Sequence, residues 1–531
     1  MTPSDPLSGI HHITGVASSA VENRVFYEKV LGLRLVKQTV NFDDPYTYHL
    51  YYGDRSGSPG TVLTFFPWER LPKGKPGAGM VTAVGFRVPD ASIDFWRRRL
   101  AARGISSREG GRFGETYLQF EDPHGLPVEL IGTSHLLGAD HWDDSPVDRA
   151  HAISGFHSAT ATLKAIDGES RLLEALLGMS LHKREGNRWR FVTGDRSAPG
   201  HFYDLVIDPG APAGRPGGGT IHHIAFRSTD DRGQRRWQSI LREAGIDATE
   251  IKDRKYFRSI YFHTPGRILF EVATDGPGFA VDEPPEHLGT SLQLPEQFAA
   301  IRTDIEVRLP ALKPPPFRHV FKDAGGASDD GHTVVPLHGT GGGEHDLIGL
   351  ARAVFPSSAI ISPRGRVREN GLRRFFRRLA VNVFDEADVI HRAHELSDFL
   401  LEAAGRYDRH RERLTAFGYS NGANMAAAVM LLRSEIFHRA VLLRPMLPLI
   451  PEMLPDLTGK RILVLRGESD TVIPGESTLE LEGLFRKAGA DLAVRSLKAG
   501  HDITSQDAVE ISRWLEGEAW PSDRDVTGLP V

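Results

Sequence analysis

Apolar and polar positions along the first part of the chain follow a pattern that repeats. Four short apolar segments, each long enough for one β-strand, recur with a period of roughly 70 residues. They are GIHHITGVA (9–17), MVTAVGFRV (80–88), GFHSATATL (155–163) and TIHHIAFRS (220–228). Repetition at this spacing predicts four copies of one structural module.

Each apolar opening is followed by a segment with the periodicity of an amphipathic helix. These segments begin at residues 22, 91, 169 and 232, and each stops at or near a glycine. Strand-like runs come next and end in GTVLTFFPW (60–68), GLPVELIGT (125–133), HFYDLVIDP (201–209) and GRILFEVAT (266–274). We therefore predict an α+β fold of four βαβββ modules, two in residues 1–145 and two in residues 146–300.

The pattern changes at about residue 300. Residues 301–330 are rich in Pro, Gly and Asp and have no periodicity, which predicts a linker. Residues 331–520 alternate apolar strand-like runs with helical patterns. This alternation predicts a second domain with a mostly parallel sheet and helices on both faces.

Composition and charge exclude several classes of partner. Lys and Arg total 64 against 69 Asp and Glu, a formal net charge of −5 without a long block of one sign, so we expect neither nucleic acid nor a membrane as partner. The absence of Cys excludes disulfides, thiolate metal sites and a cysteine nucleophile. The first residues lack a signal-peptide pattern and no run is long enough to span a bilayer, so we expect a cytoplasmic protein. No feature indicates an oligomeric state.

Histidines and carboxylates recur at matching positions of the modules. Aligning the four openings places these residues at one equivalent position: His12, Ala83, His157 and His223. Aligning the closing strands matches Glu129, Asp204 and Glu271, with only Leu63 or Thr64 there in the first module. If modules pair first with fourth and second with third, the first pair gathers His12, His223 and Glu271. Two imidazoles and one carboxylate are the ligand set that holds Fe(II) or Mn(II) and leaves positions open for substrate and dioxygen.

Each of these residues also has a simpler interpretation. A single histidine in an apolar strand is more often a hydrogen-bonded core residue than a ligand. His157 keeps that interpretation, because its module pair lacks a second imidazole. Glu129 and Asp204 are equally consistent with ordinary charges at strand ends.

Longer segments of the four modules resemble a known family. They are FYEKVLGLRLVKQTVNFDDP (26–45), YHLYYGDRSGSPGTVLTFFPW (48–68) and DRKYFRSIYFHTPGRILFEVATD (253–275). Residues 8–300 resemble the vicinal-oxygen-chelate (glyoxalase-like) superfamily and, within it, the para-hydroquinone ring-cleaving dioxygenases. The resemblance implies that His12, His223 and Glu271 ligate Fe(II), and that a small aromatic diol and O₂ are the substrates. It also implies a set of residues around the diol: His11, Thr14, His222, Arg254 and Tyr261.

The neighbours His11 and His222 raise a geometric question. In a regular strand, adjacent side chains point to opposite faces of the sheet. A direct role for His11 and His222 at the site therefore requires a twist or a β-bulge. Without one, both are structural polar residues.

The second domain contains a pentad typical of serine hydrolases. GYSNG (418–422) matches G-x-S-x-G between an apolar strand and an apolar helix, which predicts Ser420 as a nucleophile. Asp470 and His501 follow later strands in the order of an α/β-hydrolase triad. In HGTGG (338–342), Thr340 can complete an oxyanion hole with the backbone N–H of Asn421.

Other polar residues near these motifs are weaker candidates for a catalytic role. Glu468 is an alternative acid, although a loop charge is its simpler interpretation, and we expect His338 to be structural. Residues 330–517 resemble the small carboxylesterase and lysophospholipase branch of the α/β-hydrolases. No lid insertion is evident, so a small or moderate ester or acyl substrate is expected.

Together these features predict a bifunctional enzyme. One site would cleave the ring of a hydroquinone or related diol in an extradiol-type reaction, with Fe(II) as cofactor and Mn(II) as a possible replacement. The other would hydrolyse an ester. Two alternatives remain for the first domain: a glyoxalase-like metal-dependent lyase or isomerase, or an aromatic-binding module fused to an active esterase.

Overall fold

The computed structural model describes residues 7–134, 140–194, 199–324 and 329–517. Some residues of each predicted domain range lie outside the described residues; the predicted ranges are 1–145, 146–300, 301–330 and 331–520. The chain forms two compact units, and the division falls between Pro314 and Pro315.

Four modules of one strand, one helix and three strands make up the first unit, as predicted. The first module contains β1 (Ile10–Ala17), α1 (Ala20–Val25), β2 (Arg34–Asn41), β3 (Asp44–Gly53) and β4 (Val62–Pro67). The second contains β5 (Met80–Pro89), α2 (Ile93–Ala102), β6 (Arg108–Arg112), β7 (Glu115–Glu121) and β8 (Pro127–Thr133). The third contains β9 (Phe156–Leu163), α3 (Asp167–Arg171), β10 (Ser180–Glu185), β11 (Arg188–Val192) and β12 (Phe202–Ile207). The fourth contains β13 (Thr220–Ser228), α4 (Asp231–Glu243), β14 (Lys252–Asp253), β15 (Arg258–His263) and β16 (Leu269–Thr274). Short π-helical turns extend α1 and α3.

The modules combine into two eight-stranded sheets. One sheet joins the first and fourth modules in the order β14-β15-β16-β13-β1-β4-β3-β2. The other joins the third and second modules in the order β10-β11-β12-β9-β5-β8-β7-β6. In each sheet the opening strands of the two modules pair antiparallel at the centre. This is the pairing that the predicted ligand set requires.

The helices pack on the core of the unit because one face of each helix is apolar. In α4 the side chain of Asp230 accepts a hydrogen bond from the N–H of Gly233 at 2.7 Å and so caps the first turn. Trp237 and Leu241, one turn apart, are buried in the core of the unit. The same core receives Trp96 and Leu100 of α2.

Both central strand pairs contain two β-bulges. In the pairing of β1 with β13, the register steps past His11 on one strand and past His222 on the other. In the pairing of β5 with β9, the register steps past Thr82 and His157 at the matching places. His157 is therefore equivalent to His11 and His222, and the alignment of His157 with His12 and His223 is wrong by one residue. The opening strand of the third module has a single histidine, so its apolar pattern cannot distinguish the bulged position from the next.

The second unit has a seven-stranded sheet in the order β17-β19-β18-β24-β25-β26-β27. Its strands are β17 (His319–Lys322), β18 (Thr333–Leu337), β19 (Ala359–Pro363), β24 (Leu414–Tyr419), β25 (Arg439–Leu443), β26 (Arg461–Gly467) and β27 (Asp491–Leu497). Two hairpins lie between β19 and β24: β20 (Val367–Glu369) with β21 (Leu372–Arg374), and β22 (Arg378–Ala380) with β23 (Val383–Phe384). The helices are α6 (Ile348–Val354), α7 (Glu386–Arg406), α8 (Asn421–Leu432), α9 (Gly475–Lys487) and α10 (Ser505–Glu516). Only β17 runs antiparallel in the described sheet, which confirms the predicted mostly parallel arrangement.

The segment predicted as a linker is more structured than expected. Its first part forms α5 (Arg302–Arg308), in which Ile305 is fully buried in the core of the first unit. Phe317 and β17 already belong to the second unit. The helix has only seven residues, too few for a clear apolar period. Residues 325–328 of the predicted linker lie outside the described ranges.

Within the described ranges, no helix combines the length and the apolar character needed to cross a membrane.

A buried ion pair generates the first prediction. Arg444 and Asp507 have no exposed side-chain surface and are joined by hydrogen bonds of 2.7 and 3.1 Å. Asp507→Asn leaves the guanidinium without a compensating charge, so the free energy of unfolding of the second unit should fall by about 3–5 kcal/mol. Urea denaturation followed by circular dichroism measures this loss.

The matched control is the exposed pair of Glu402 and Arg406. Glu402→Gln should change the stability by no more than about 0.5 kcal/mol, because exposed pairs contribute little. Similar effects of the two substitutions would contradict the structural role of the buried pair.

Candidate active sites

Three residues predicted as metal ligands meet in the first sheet. The Nε2 atoms of His12 on β1 and His223 on β13 lie 3.3 Å apart. The Oε2 atom of Glu271 on β16 lies 3.3 Å from His12 Nε2 and 2.9 Å from His223 Nε2. We call these residues the ligand triad. All three are buried, and each offers an atom within 4.8 Å of the other two.

The donor set fits a divalent metal. Although burial alone would raise it, the imidazoles of His12 and His223 hold the pKa of Glu271 well below its usual range. Glu271 Oε1 accepts a hydrogen bond from the Ser259 hydroxyl at 2.5 Å, while Oε2 has no hydrogen bond of good geometry to any described residue. A buried, ionised carboxylate oxygen beside two imidazole nitrogens is a set that Fe(II) or Mn(II) can occupy.

The bulges explain the doubled histidines. They turn His11 and His222 towards their neighbours, so that His11 Nδ1 lies 2.9 Å from His12 Nδ1 and His222 Nδ1 lies 2.8 Å from His223 Nδ1. Burial, followed by the charge of His12, lowers the pKa of His11 well below its usual value. Burial and the charge of His223 lower the pKa of His222 to about 4. Both neighbours are therefore neutral near pH 7 and can accept the Nδ1 hydrogen of a ligand histidine, which orients its Nε2.

A cavity of about 250 Å³ opens onto the triad. Besides His12 and His223, its lining comprises Asn41, Phe42, Asp43, His49, Tyr51, Phe66, Trp68, His222, Thr249, Lys252, Arg254, Phe257, Tyr261 and Leu269. Three of the five predicted substrate residues, His222, Arg254 and Tyr261, are thus on its wall. The other two are not among the lining residues: His11 Nδ1 lies 2.9 Å from His12 Nδ1, and Thr14 Oγ1 lies 2.9 Å from His223 Nε2, the nitrogen that faces the triad.

The charged and aromatic groups on the wall are suited to an aromatic anion. The Arg254 guanidinium lies 5.6 Å from the centre of the Tyr261 ring. Burial, reinforced by the charge of Glu271, raises the pKa of Tyr261, so the phenol keeps its proton. Burial alone would lower the pKa of Arg254, but neighbouring Tyr261 raises it overall. Arg254 and Tyr261 therefore offer a permanent cation and a phenolic donor on a wall that also carries Lys252 and Tyr51.

Several residues of this site were not predicted from the sequence. His49, Phe257 and Trp68 line the cavity, and Ser259 holds the triad carboxylate. Alternation along β3 was a usable signal for His49, because His49 and Tyr51 are two residues apart and therefore share a face. The position of Phe257, 4.8 Å from the His12 ring, depends on tertiary contacts.

The described part of the second sheet carries no equivalent site. Ala83 and Ser158 stand at the positions of His12 and His223. Glu129 is paired with Arg112 and Asp204 with Arg190, each through two hydrogen bonds. Among the described residues, no cluster other than the ligand triad has metal-site geometry.

The serine predicted as nucleophile sits on a strained turn between β24 and α8. Ser420 has φ +51° and ψ −116°, which presents its hydroxyl at the carboxyl edge of the sheet. A Cβ on Gly422 would lie 1.9 Å from the Leu337 carbonyl oxygen, so only glycine permits this approach.

Two further residues complete the serine triad. Ser420 Oγ lies 3.0 Å from His501 Nε2, and His501 Nδ1 lies 2.9 Å from Asp470 Oδ2. Against the effect of burial, the hydrogen bond from His501 and two backbone N–H groups lower the pKa of Asp470. Arg444 holds the loop of His501 by donating to the carbonyls of Gly500 and Asp502. Glu468 is exposed, with no described side-chain contact to His501.

The two hairpins after β19 frame this site. The Arg374 guanidinium donates to Thr340 Oγ1 at 2.8 Å, and the Phe375 N–H donates to Asn421 Oδ1 at 2.8 Å. At the other side Asn382 donates to the Val472 carbonyl, two residues beyond Asp470. These hairpins form an insertion around the nucleophile that the sequence pattern did not predict. His338 accepts from the Gly365 N–H and donates to the Gly339 carbonyl, which is a structural arrangement.

The two units match separate groups of known proteins. Residues 9–130 match the model of the Glyoxalase/Bleomycin resistance protein/Dioxygenase superfamily. The chain is 45% identical over 300 residues to "Putative ring-cleaving dioxygenase MhqO" of Bacillus subtilis (strain 168), covering 56% of this chain and 94% of MhqO. It is 35% identical over 310 residues to the chlorohydroquinone/hydroquinone 1,2-dioxygenase of Sphingobium indicum, covering 56% of this chain and 95% of that protein.

A crystal structure of a "putative dioxygenase" from Bacillus subtilis covers 58% of this chain and 99% of its own, with 42% identity and a TM-score of 0.56. The C-terminal part is 39% identical over 199 residues to "Putative hydrolase MhqD" of Bacillus subtilis (strain 168), covering 38% of this chain and 98% of MhqD. The chain therefore belongs to the ring-cleaving dioxygenases of the glyoxalase-like superfamily, and it is an enzyme in which a dioxygenase part is joined to a hydrolase part.

Proposed function

We propose that the first unit cleaves the ring of a hydroquinone or related aromatic diol with Fe(II) and O₂, and that the second hydrolyses a small ester. The observation that carries the first half is the buried ligand triad at the end of an aromatic-lined cavity. The name of the Sphingobium relative, a chlorohydroquinone/hydroquinone dioxygenase, supports the substrate class. The extradiol-type reaction and Fe(II), with Mn(II) as a substitute, are part of this proposal.

His12, His223 and Glu271 would hold the metal through three protein ligands. A ferrous ion there supplies Lewis acidity towards a phenolic oxygen and the electron chemistry that dioxygen requires. Neutral His11 and His222 accept the Nδ1 hydrogens of the two ligand imidazoles and fix their orientation. The rest of the site binds and orients the diol.

The cavity wall handles the charge of the substrate. Arg254 remains a cation and balances the anion that forms when a diol hydroxyl loses its proton. The Tyr261 phenol keeps its hydrogen and donates it to a substrate oxygen. Phe257, Phe66 and Trp68 supply flat apolar surfaces for the ring.

The second unit would use Ser420 as its nucleophile. His501 takes the hydroxyl proton at Nε2 and returns it to the leaving group, while the ionised Asp470 keeps the hydrogen on Nδ1. The backbone N–H groups of Asn421 and Thr340 would stabilise the oxyanion. The amide N–H of Gly341 already donates to the Arg373 carbonyl at 2.8 Å, so it does not contribute.

Substitution of a triad histidine tests the first activity. His223→Ala removes one of three ligands, so iron content and oxygen uptake with substituted hydroquinones should fall by about 100-fold or more. The measurement is an oxygen-electrode trace after anaerobic reconstitution with Fe(II), together with metal analysis. Ser420→Ala is the control, because Ser420 belongs to the other site, and it should leave oxygen uptake unchanged. Iron-loaded wild-type protein that consumes no oxygen with any hydroquinone or catechol would refute the proposal.

Hydrolysis of p-nitrophenyl acetate tests the second activity. Ser420→Ala should lower kcat by about 10⁵-fold or more, and Asp470→Asn by about 10⁴-fold, because the histidine then adopts the wrong tautomer. Glu468→Gln is the matched control and should change kcat less than about twofold. A large loss in that control, or a retained rate in Ser420→Ala, would show that the assignment is wrong.

A further inference from the structure

A continuous chain of hydrogen bonds runs from two residues of the cavity wall to the ligand triad. The Tyr51 hydroxyl lies 2.8 Å from His49 Nδ1, and His49 Nε2 lies 2.8 Å from Thr64 Oγ1. Thr64 Oγ1 lies 3.0 Å from Thr14 Oγ1, which in turn lies 2.9 Å from His223 Nε2. All five residues are buried. The roles assigned above to the diol-binding residues involve neither His49 nor Thr64.

The strand register builds this chain. Thr14 of β1 is paired with Thr64 of β4, and Tyr51 of β3 is paired with the same Thr64. In the first module Thr64 occupies the place that Glu271 holds in the fourth. Glu271 pairs with Ala225, two residues after His223, and Thr64 pairs with Thr14, two residues after His12. A hydroxyl therefore stands where a carboxylate stands in the repeat.

The donors in this chain can be ordered. Burial raises the pKa of Tyr51 well above its usual value, so its hydroxyl keeps its hydrogen. Burial and the charges of His12 and His223 lower the pKa of His49, so the imidazole is neutral and has one N–H. Among the described residues His49 is the only hydrogen-bond partner of the Tyr51 hydroxyl. Tyr51 therefore donates to Nδ1, and the hydrogen of His49 is on Nε2.

The donor and the acceptor in each further hydrogen bond follow from the bond before it. His49 Nε2 donates to Thr64, so the Thr64 hydrogen is free to point to Thr14. Thr14 accepts it and directs its own hydrogen to His223 Nε2. When His223 Nε2 serves as a metal ligand it no longer accepts, and the Thr14 hydroxyl would then be free to donate to a substrate oxygen beside it.

We propose that His49 is a positioning residue for ring cleavage, because it fixes the direction of the chain and so makes Thr14 a donor to the substrate oxygen anion. This inference rests on the proposed function of the first site. His49 itself need not gain or lose a proton during the reaction.

Two substitutions of His49 distinguish a role in fixing the direction of the hydrogen-bond chain from a role in proton transfer. Glutamine has a carbonyl oxygen that can accept from Tyr51 and an amide N–H that can donate to Thr64, so His49→Gln keeps the order of donors. Leucine has neither group, so in His49→Leu the Thr14 hydroxyl can donate to Thr64 instead of the substrate. We expect kcat/KM for hydroquinone to fall by about 10- to 100-fold in His49→Leu and by no more than about threefold in His49→Gln.

A binding measurement provides a readout independent of turnover. Calorimetric titration of hydroquinone into Fe(II)-loaded protein without oxygen should show the same ranking, wild type close to His49→Gln and both tighter than His49→Leu. Iron content should be equal in all three proteins, since no hydrogen bond joins His49 to a ligand side chain. Loss of iron in His49→Leu would overturn the inference. An equal fall in kcat/KM and in hydroquinone affinity in His49→Gln and His49→Leu would also overturn it, and would mean that His49 transfers protons itself.

A double substitution tests whether the chain acts as a unit. Thr14→Val removes the terminal donor, so adding His49→Leu to it should cause less than about a twofold further loss. Additive losses would contradict coupling through Thr14. If iron-loaded wild-type protein consumes no oxygen but binds hydroquinone with the expected ranking, the proposed reaction fails, while the ordering of the Thr14 hydroxyl by His49 in diol binding stands. If it binds no hydroquinone, both fail.

Discussion

The antiparallel pairing of β1 with β13, with one bulge on each strand, determines the chemistry of the first unit. A regular ladder would point His11 and His12 to opposite faces of the sheet, and would do the same to His222 and His223. The bulges instead bring the Nδ1 atoms of each doublet to 2.9 and 2.8 Å. Each ligand imidazole thereby receives a neutral partner that fixes its orientation, and the Nε2 atoms converge on Glu271.

The two sheets of this unit show two ways to accommodate buried carboxylates. Glu129 and Asp204 are neutralised by the guanidiniums of Arg112 and Arg190, which form two hydrogen bonds each. No described arginine or lysine forms such a pair with Glu271. It lies beside two imidazoles, which can serve with it as metal ligands. The buried carboxylates are therefore paired with arginines in the second sheet, whereas the carboxylate of the first sheet remains available to a metal ion.

The second unit follows a different constraint. In a parallel sheet all carboxyl ends of the strands meet at one edge, so Ser420, Asp470 and His501 come together from loops after β24, β26 and β27. The buried contact of Arg444 with Asp507 steadies the last of these loops. Close approach of Gly422 to the Leu337 carbonyl keeps the turn of the nucleophile strained.

Much of this protein could be predicted from local pattern. Periodicity of apolar positions identified the four modules and the alternating second unit, because core burial imposes those periods on any sequence with these elements. The ligand triad and the serine triad were also within reach, since their residue types recur at matching places in the modules or follow strands in a known order. Tertiary structure alone decided which modules pair, the one-residue offset that makes Ser158 rather than His157 the equivalent of His223, and the positions of His49, Ser259 and Phe257. The physical reason is that register and bulges depend on hydrogen bonds between strands far apart in the chain, which no local pattern records.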